Sequence, residues 1–322
     1  MTREGEVVPG SWFIYAPNKG APIFFAVAFA ICGFWHLWQC IHFKCFRITS
    51  LLPLSALGLA AGFAAREVGA FQLDNLQVYI ATVMLLYIPP PVIELANYHI
   101  FGRVLYYVPY CSPVHPGRTL TTLGAISAVV EILNGIGISW TANSTIRPAF
   151  LNAGKALLRA SLLVQVAVIA MFYVMIAIFF YRCQRARLHH RGVRHVVLGM
   201  IVSSTFILVR CLFRTVEIFS ETDGTGFPAV YRYEWLFYVL EAVPLLISIG
   251  WWNFFHPRHY LPEDYHIYLA QDGVTERIGG GWIDDRPFIW TVLDPFGICM
   301  GKPTTKPFWE VEMDEPNNRQ RR

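Results

Sequence analysis

An all-α, polytopic membrane protein with seven transmembrane helices, N-terminus outside and C-terminus cytoplasmic, is what this sequence predicts. Three observations predict it. Of 322 residues, 55% are apolar and only 15% charged, whereas soluble domains carry about 25% charged residues. Seven apolar stretches follow one another between residues 22 and 257. Basic residues gather in alternate connections, which orients the spans.

Residues 1–21 are polar, with no basic n-region and no small-residue cleavage site, so no cleaved signal peptide is expected. The first span is Pro22–Cys40, followed at once by His42, Lys44 and Arg47. The second runs from about Ser50 to Ala65, is rich in Ala and Gly, and is closed by Arg66 and Glu67. The third, about Leu76 to Ile100, contains Pro89, Pro90 and Pro91. Each proline lacks an N–H and clashes with the preceding turn, so a helix break is expected there. Leu120–Trp140, Ala156–Tyr181, about His195–Phe219 and Glu234–Phe255 complete the seven. Residues 258–322 form a polar tail, expected to be partly disordered, in which Trp282, Phe288, Trp290, Phe308 and Trp309 are candidates for docking on the bundle. No internal repeat is visible, which speaks against an inverted-repeat transporter.

The connections after the first, third and fifth spans hold Lys44, Arg47, Arg103, Arg118, Arg182, Arg185, Arg187, Arg191 and Arg194. The alternate ones hold Arg66, Arg147, Lys155 and Arg232. The excess side is expected to be cytoplasmic. Asn143-Ser144-Thr145, a glycosylation sequon, then falls outside. The basic 182–194 loop is expected to attract anionic lipid, at about 1 kcal/mol per charge near the surface.

Several classes are excluded by what is missing. The seven cysteines show no CxxC or paired spacing. His36, His42, His189, His190 and His195 form no metal-binding motif, and no nucleotide loop or Ser/His/Asp arrangement is present. No enzyme activity, cofactor, metal or nucleic-acid partner is expected.

The chemistry lies in charges set within apolar spans. An ionised side chain at mid-membrane costs about 2.5–3.5 kcal/mol even on insertion scales, so such groups face the bundle interior and pair. At 3.6 residues per turn, Arg210, Arg214 and Glu217 share one face of the sixth span, and Glu234 and Glu241 one face of the seventh. The simplest arrangement sets two arginines against three glutamates across one seam, in the outer half of the bundle. That seam suits a zwitterionic or amine-bearing head group, with carboxylate on ammonium and guanidinium on an anionic group. An ion-pair network that only fixes packing is the alternative. Glu131 and Asn134 in the fourth span form a second candidate, for a cationic head group or a proton. Glu131 and Glu241 are the candidate proton carriers. Glu94 and Asn97, below the triple proline, are a third, and Gly135-x-Gly137 reads as a close helix contact.

The sixth and seventh spans, with Arg210, Arg214, Glu217, Gly224, Glu234, Glu241, His256 and Pro257, resemble the signature half of the fungal lipid-translocating exporter family, the Rta-like seven-span proteins. Upstream, PNKGAPIFFAVAF and HLWQC resemble the family's opening, and Gly62, Phe63 and Arg66 its Gly-aromatic-x-x-Arg. Pro90, Tyr98, Gly102 and Arg103 have its third-span spacing, and Gly154 and Gln165 fit its fifth span. The sequence departs at Leu59, Gly124 and Glu131, where the family usually carries an acid, an Asp and a Gln. The resemblance implies movement of an amphipathic lipid-like molecule, such as a sphingoid base or sterol analogue, and a plasma-membrane location, with vacuole or endoplasmic reticulum as alternatives. The rival reading is a seven-span receptor or lipid sensor that signals through the 182–194 loop and the tail.

Overall fold

The computed structural model describes residues 8, 11–13, 15, 17–142, 147–188, 190–220, 229–262, 264 and 266–279. It is a seven-span helical bundle. α1 (Ala21–His42) is followed by a single turn, α2 (Phe46–Thr49), and then by α3 (Leu51–Phe71). The third span is two helices, α4 (Leu76–Tyr87) and α5 (Pro89–Tyr107). α6 (Pro116–Ala142), α7 (Pro148–Arg185) and α8 (Arg191–Phe219) are unbroken. A short α9 (Ala229–Arg232) leads into the seventh span, made of α10 (Glu234–Phe237), a π-helical turn (Tyr238–Ala242) and α11 (Val243–Phe254).

Local sequence sets these boundaries. Asn75 caps α4, its side chain accepting from the Gln77 and Val78 N–H groups at 3.0 and 3.3 Å. Pro148 stands in the first turn of α7, where its missing N–H costs nothing. Three prolines in a row, lacking N–H groups, interrupt the helical hydrogen bonding after Ile88, whose own backbone stays in the α region, and α5 starts afresh there.

Fifteen of the nineteen residues of α5 are buried, so this helix is the axis of the bundle. The others surround it, α1 packing on α3 and α11, α6 on α5 and α7, and α8 on α7 and α11. The outward face of α1 carries Phe24, Val27, Ile31, Phe34 and Trp38, all exposed, as a lipid-facing stripe requires. Gly137 and Gly154 let α6 and α7 touch at backbone distance; a Cβ on Gly154 would lie 3.1 Å from the Gly137 carbonyl. Gly135 opens onto free space and takes no part in that contact.

Most expected boundaries shift outward, so that Arg103, Arg118, Arg182, Arg185, Arg191 and Arg194, expected in connections, lie within α5, α6, α7 and α8. α3 continues to Phe71, so Arg66 and Glu67 lie within the helix instead of in a loop. α7 begins at Pro148, which likewise takes Lys155 out of the connection. Beyond α11, Pro257–His259 forms a 3-10 turn, and an antiparallel hairpin pairs β1 (Ile267–Leu269) with β2 (Glu276–Ile278). Arg103 of α5 donates to the Pro262 and Asp264 carbonyls at 3.1 and 3.3 Å, and the Tyr107 hydroxyl donates to Glu276 at 2.8 Å. The hairpin thus packs on the end of the bundle opposite the N-terminal segment. Its turn is held by Asp272, whose carboxyl is kept at about 2 by the Thr275 hydroxyl and the Val274 and Thr275 N–H groups. Trp282, Phe288, Trp290, Phe308, Trp309, Gly224 and Asn143 lie outside the described residues.

Candidate functional site

Three buried arginines converge near the end of the bundle that carries the N-terminal segment. Arg210 and Arg214 come from α8 and Arg66 from α3, each less than one-tenth exposed. Arg214 bonds Glu217 on its own helix at 2.6 Å and Glu241 on the facing π turn. Arg210 approaches the other Glu241 oxygen at 3.5 Å. Four of the five residues expected at one seam therefore meet there.

Glu234 does not join them. It faces α3, where Arg66 donates to it at 3.0 Å, the Tyr238 hydroxyl at 2.8 Å and the Asn18 N–H at 2.6 Å. The expectation that Glu234 and Glu241 share a face fails because the turn between them is π-helical. Its i→i+5 bonding accommodates one extra residue, which rotates Glu241 by roughly 100° relative to a continuous α-helix. One acid is thereby aimed at α3 and the other at α8.

The two ion-pair groups share aromatic walls. The Arg66 guanidinium lies 4.3 Å from the Phe237 ring centre and the Arg214 guanidinium 5.7 Å from it. Arg214 and Arg210 also lie 4.6 and 5.5 Å from the Tyr87 ring. Tyr87 is the last residue of α4, so the proline break that follows it fixes one wall of the site. Gly62 makes that wall accessible to α3, since a Cβ there would stand 3.1 Å from the Leu85 carbonyl.

Between these groups is a cavity of about 400 Å³. Arg66, Arg214 and Glu217 line it together with Tyr15, Tyr79, Tyr87 and Phe237. Arg66 donates to the Tyr15 hydroxyl at 2.7 Å, and burial raises the Tyr15 phenol above its ordinary value, which keeps it neutral. Chemically the lining presents two guanidiniums, each already paired with a carboxylate, and one carboxylate, set among aromatic rings. Arg210, Glu234 and Glu241 stand behind the lining and hold its arginines in place.

The remaining candidates sit elsewhere. Pro89, Pro90 and Pro91 are buried at the start of α5. Asn134 donates to Glu131 at 3.3 Å and accepts from Ser161 of α7, away from the cavity. Glu94 accepts from the Tyr98 hydroxyl and the Gln165 amide, both at 3.1 Å. Asn97 donates to Ser203 at 3.0 Å and accepts from Trp252 at 2.9 Å, which ties α5 to α8 and α11. Among the described residues no three His, Cys, Asp or Glu side chains gather as a metal site.

The sequence pattern missed Arg66 as a site residue because it was counted as a loop charge. Its signal was present in the Gly-aromatic-x-x-Arg spacing, which places Gly62 and Arg66 one turn apart on a single face. Tyr15, Tyr87 and Phe237 carried no distinguishing signal among so many aromatics.

Comparison with known proteins agrees with this architecture. The family described as RTA1 like protein matches residues 53–264. A lipid-translocating exporter-like protein RTA1 of Leptosphaeria maculans is 38% identical over 311 residues, covering 90% of this chain and 60% of that longer protein. One of the same name from Ajellomyces capsulatus is 27% identical, covering 83% of this chain and 89% of its own. Protoporphyrin uptake protein 1 of Saccharomyces cerevisiae is 27% identical over 59% of this chain and 62% of its own. No solved structure matches. These relatives bear transporter-like names, and the seven apolar helices make the chain an integral membrane protein. With two thirds of its length inside the family match and the arginine–glutamate cluster at its centre, this chain belongs to the RTA1-like family of membrane proteins.

Proposed function

We propose that this protein translocates an amphipathic, lipid-like molecule across the membrane, with its head group held in the cavity lined by Arg66, Arg214 and Glu217. The supporting observation is that cavity: two guanidiniums and a carboxylate around about 400 Å³, among aromatic rings, inside a lipid-embedded bundle. A phosphate or carboxylate on the substrate would meet Arg66 and Arg214, and an ammonium would meet Glu217 and the aromatic faces. The volume lies at the lower end of small-ligand sites, which run from about 300 to 1,000 Å³. It suits a head group, and the hydrocarbon tail would remain among apolar helix surfaces and lipid. Sphingoid bases and sterol analogues are the substrate classes we favour, in the plasma membrane, with the N-terminus outside and the basic 182–194 loop against anionic lipid. Arg210, Glu234 and Glu241 serve as positioning residues: Glu234 holds Arg66, and Glu241 holds Arg214 and is itself held by Arg210.

The test is flux of a labelled sphingoid base into vesicles containing only this purified protein, beside Arg214→Gln and Glu217→Gln. A lost charge-assisted bond worth about 1.5–3 kcal/mol should lower apparent affinity roughly tenfold or more. Wild-type flux weakened in this way supports the reading. No flux from folded, inserted protein sinks it and moves the weight to a seven-span receptor.

A further inference from the structure

Inside the bundle lie two more acids, and the cavity uses neither. Glu94 of α5 is buried, and Glu131 of α6 is partly buried. Glu217, Glu234 and Glu241 each have a guanidinium within 3.5 Å, whereas no cationic side chain among the described residues lies within ion-pair distance of Glu94 or Glu131. An unpaired ionised acid is costly in such a place.

Their hydrogen bonds point the same way. Gln165 of α7 donates its amide nitrogen to Glu94 at 3.1 Å. Its amide oxygen, in a side chain 4% exposed, has no partner. Gln165 and Glu131 line one gap together with Pro91, Ser127, Val130 and Val168, too narrow for a water molecule. Glu131 receives only the Asn134 amide, at 3.3 Å. Two carboxyls and an amide oxygen are all acceptors when the acids are ionised, and the Ser127 hydroxyl on the wall is engaged with Tyr98, so the site has one donor too few. A proton on a carboxyl supplies it, where a hydrated cation would not fit.

We infer that Glu94 and Glu131 share one proton across the amide of Gln165. With the proton on Glu131, its O–H donates to the Gln165 oxygen while the Gln165 N–H donates to the Glu94 carboxylate. The mirror arrangement, with the amide turned through a half-turn and the single proton on Glu94, satisfies the same groups; rotation of the amide selects between the two bonding patterns and does not itself carry the proton. The net charge of the site is minus one in either arrangement. The groups facing it are Tyr98 from α5, Asn134 from α6, and Arg210 and Cys211 from α8, with Arg210 the nearest charge and already engaged by Glu241. The proposal stands independently of the head-group site, and its test needs no transport.

Infrared spectra of the full chain, purified in an ester-free detergent at neutral pH, read the neutral carboxylic C=O stretch directly. The wild type should show a band equal to one protonated acid that shifts in D2O. Either Glu94→Gln or Glu131→Gln should abolish the whole band, because the new amide supplies the missing donor and leaves the other carboxyl ionised. Both variants keep every hydrogen bond satisfied and should fold. A wild-type spectrum without the band overturns the proposal by itself. Loss of only half the band in each variant also overturns it, since that would mean two separate neutral acids.

Discussion

Arg66 and Glu234 show how burial changes the worth of a charge. At a surface the pair would contribute about 0–1 kcal/mol. Here both side chains are nearly closed off from solvent, and either one alone would be an uncompensated charge inside the bundle. Removing one partner of a buried pair costs about 3–5 kcal/mol, whereas removing both and restoring apolar packing costs far less. Arg66→Met should therefore lower the thermal midpoint of the detergent-purified protein sharply, as should Glu234→Leu. The double variant should regain at least half of the loss. Additive losses in thermal unfolding curves would show that the two side chains act separately. The Tyr238 hydroxyl and the Asn18 N–H also depend on Glu234, so the recovery should stop short of complete.

Among the elements, the π turn at Tyr238–Ala242 has the largest consequence. It permits acids seven residues apart to face two different helices, and so it splits one expected seam into two clusters with Phe237 between them. Val239 is half exposed within that turn. Deleting it removes the extra residue and leaves the two acids six apart on a continuous α-helix, roughly 120° around from each other, so both buried pairs should survive. The unfolding midpoint should then stay close to that of wild type. A fall equivalent to the about 3–5 kcal/mol of a broken buried pair would mean that the π turn itself, and not the angle it sets, holds the pairs. The proline break acts in a comparable way. It ends α4 at Tyr87 and places that ring against Arg214 and Arg210.

On the scale of the whole molecule, charge distribution sets orientation. Arg182, Arg185 and Arg187 lie together at the end of α7, on the end of the bundle where the tail hairpin docks, and the cavity lies at the opposite end. By the positive-inside rule the cavity is expected to face the outside. A protease site inserted between Ala186 and His190 should be cut in sealed spheroplasts only after permeabilisation. An N-terminal epitope should be reached from outside without it. Cutting of the 186–190 site in intact spheroplasts would invert the topology and place the cavity on the cytoplasmic side.

The sequence by itself determined the seven spans and the family, and it marked Arg210, Arg214, Glu217, Glu234 and Glu241 as one group, from which the structure removes Glu234. Hydropathy, a shared helix face and the cost of charge in lipid are properties of local sequence, so they can be read without coordinates. Partnership across helices cannot be read that way. Arg66 stands 168 residues from Glu234, and only packing of α3 against the seventh span brings them together. Likewise the bridge from Glu94 to Gln165 exists because α5 and α7 approach one another just below the triple proline. The π turn was hidden for a related reason. An extra residue in one helical turn leaves no mark on the apolar pattern of a span surrounded by lipid and protein, yet it decides which way each acid points.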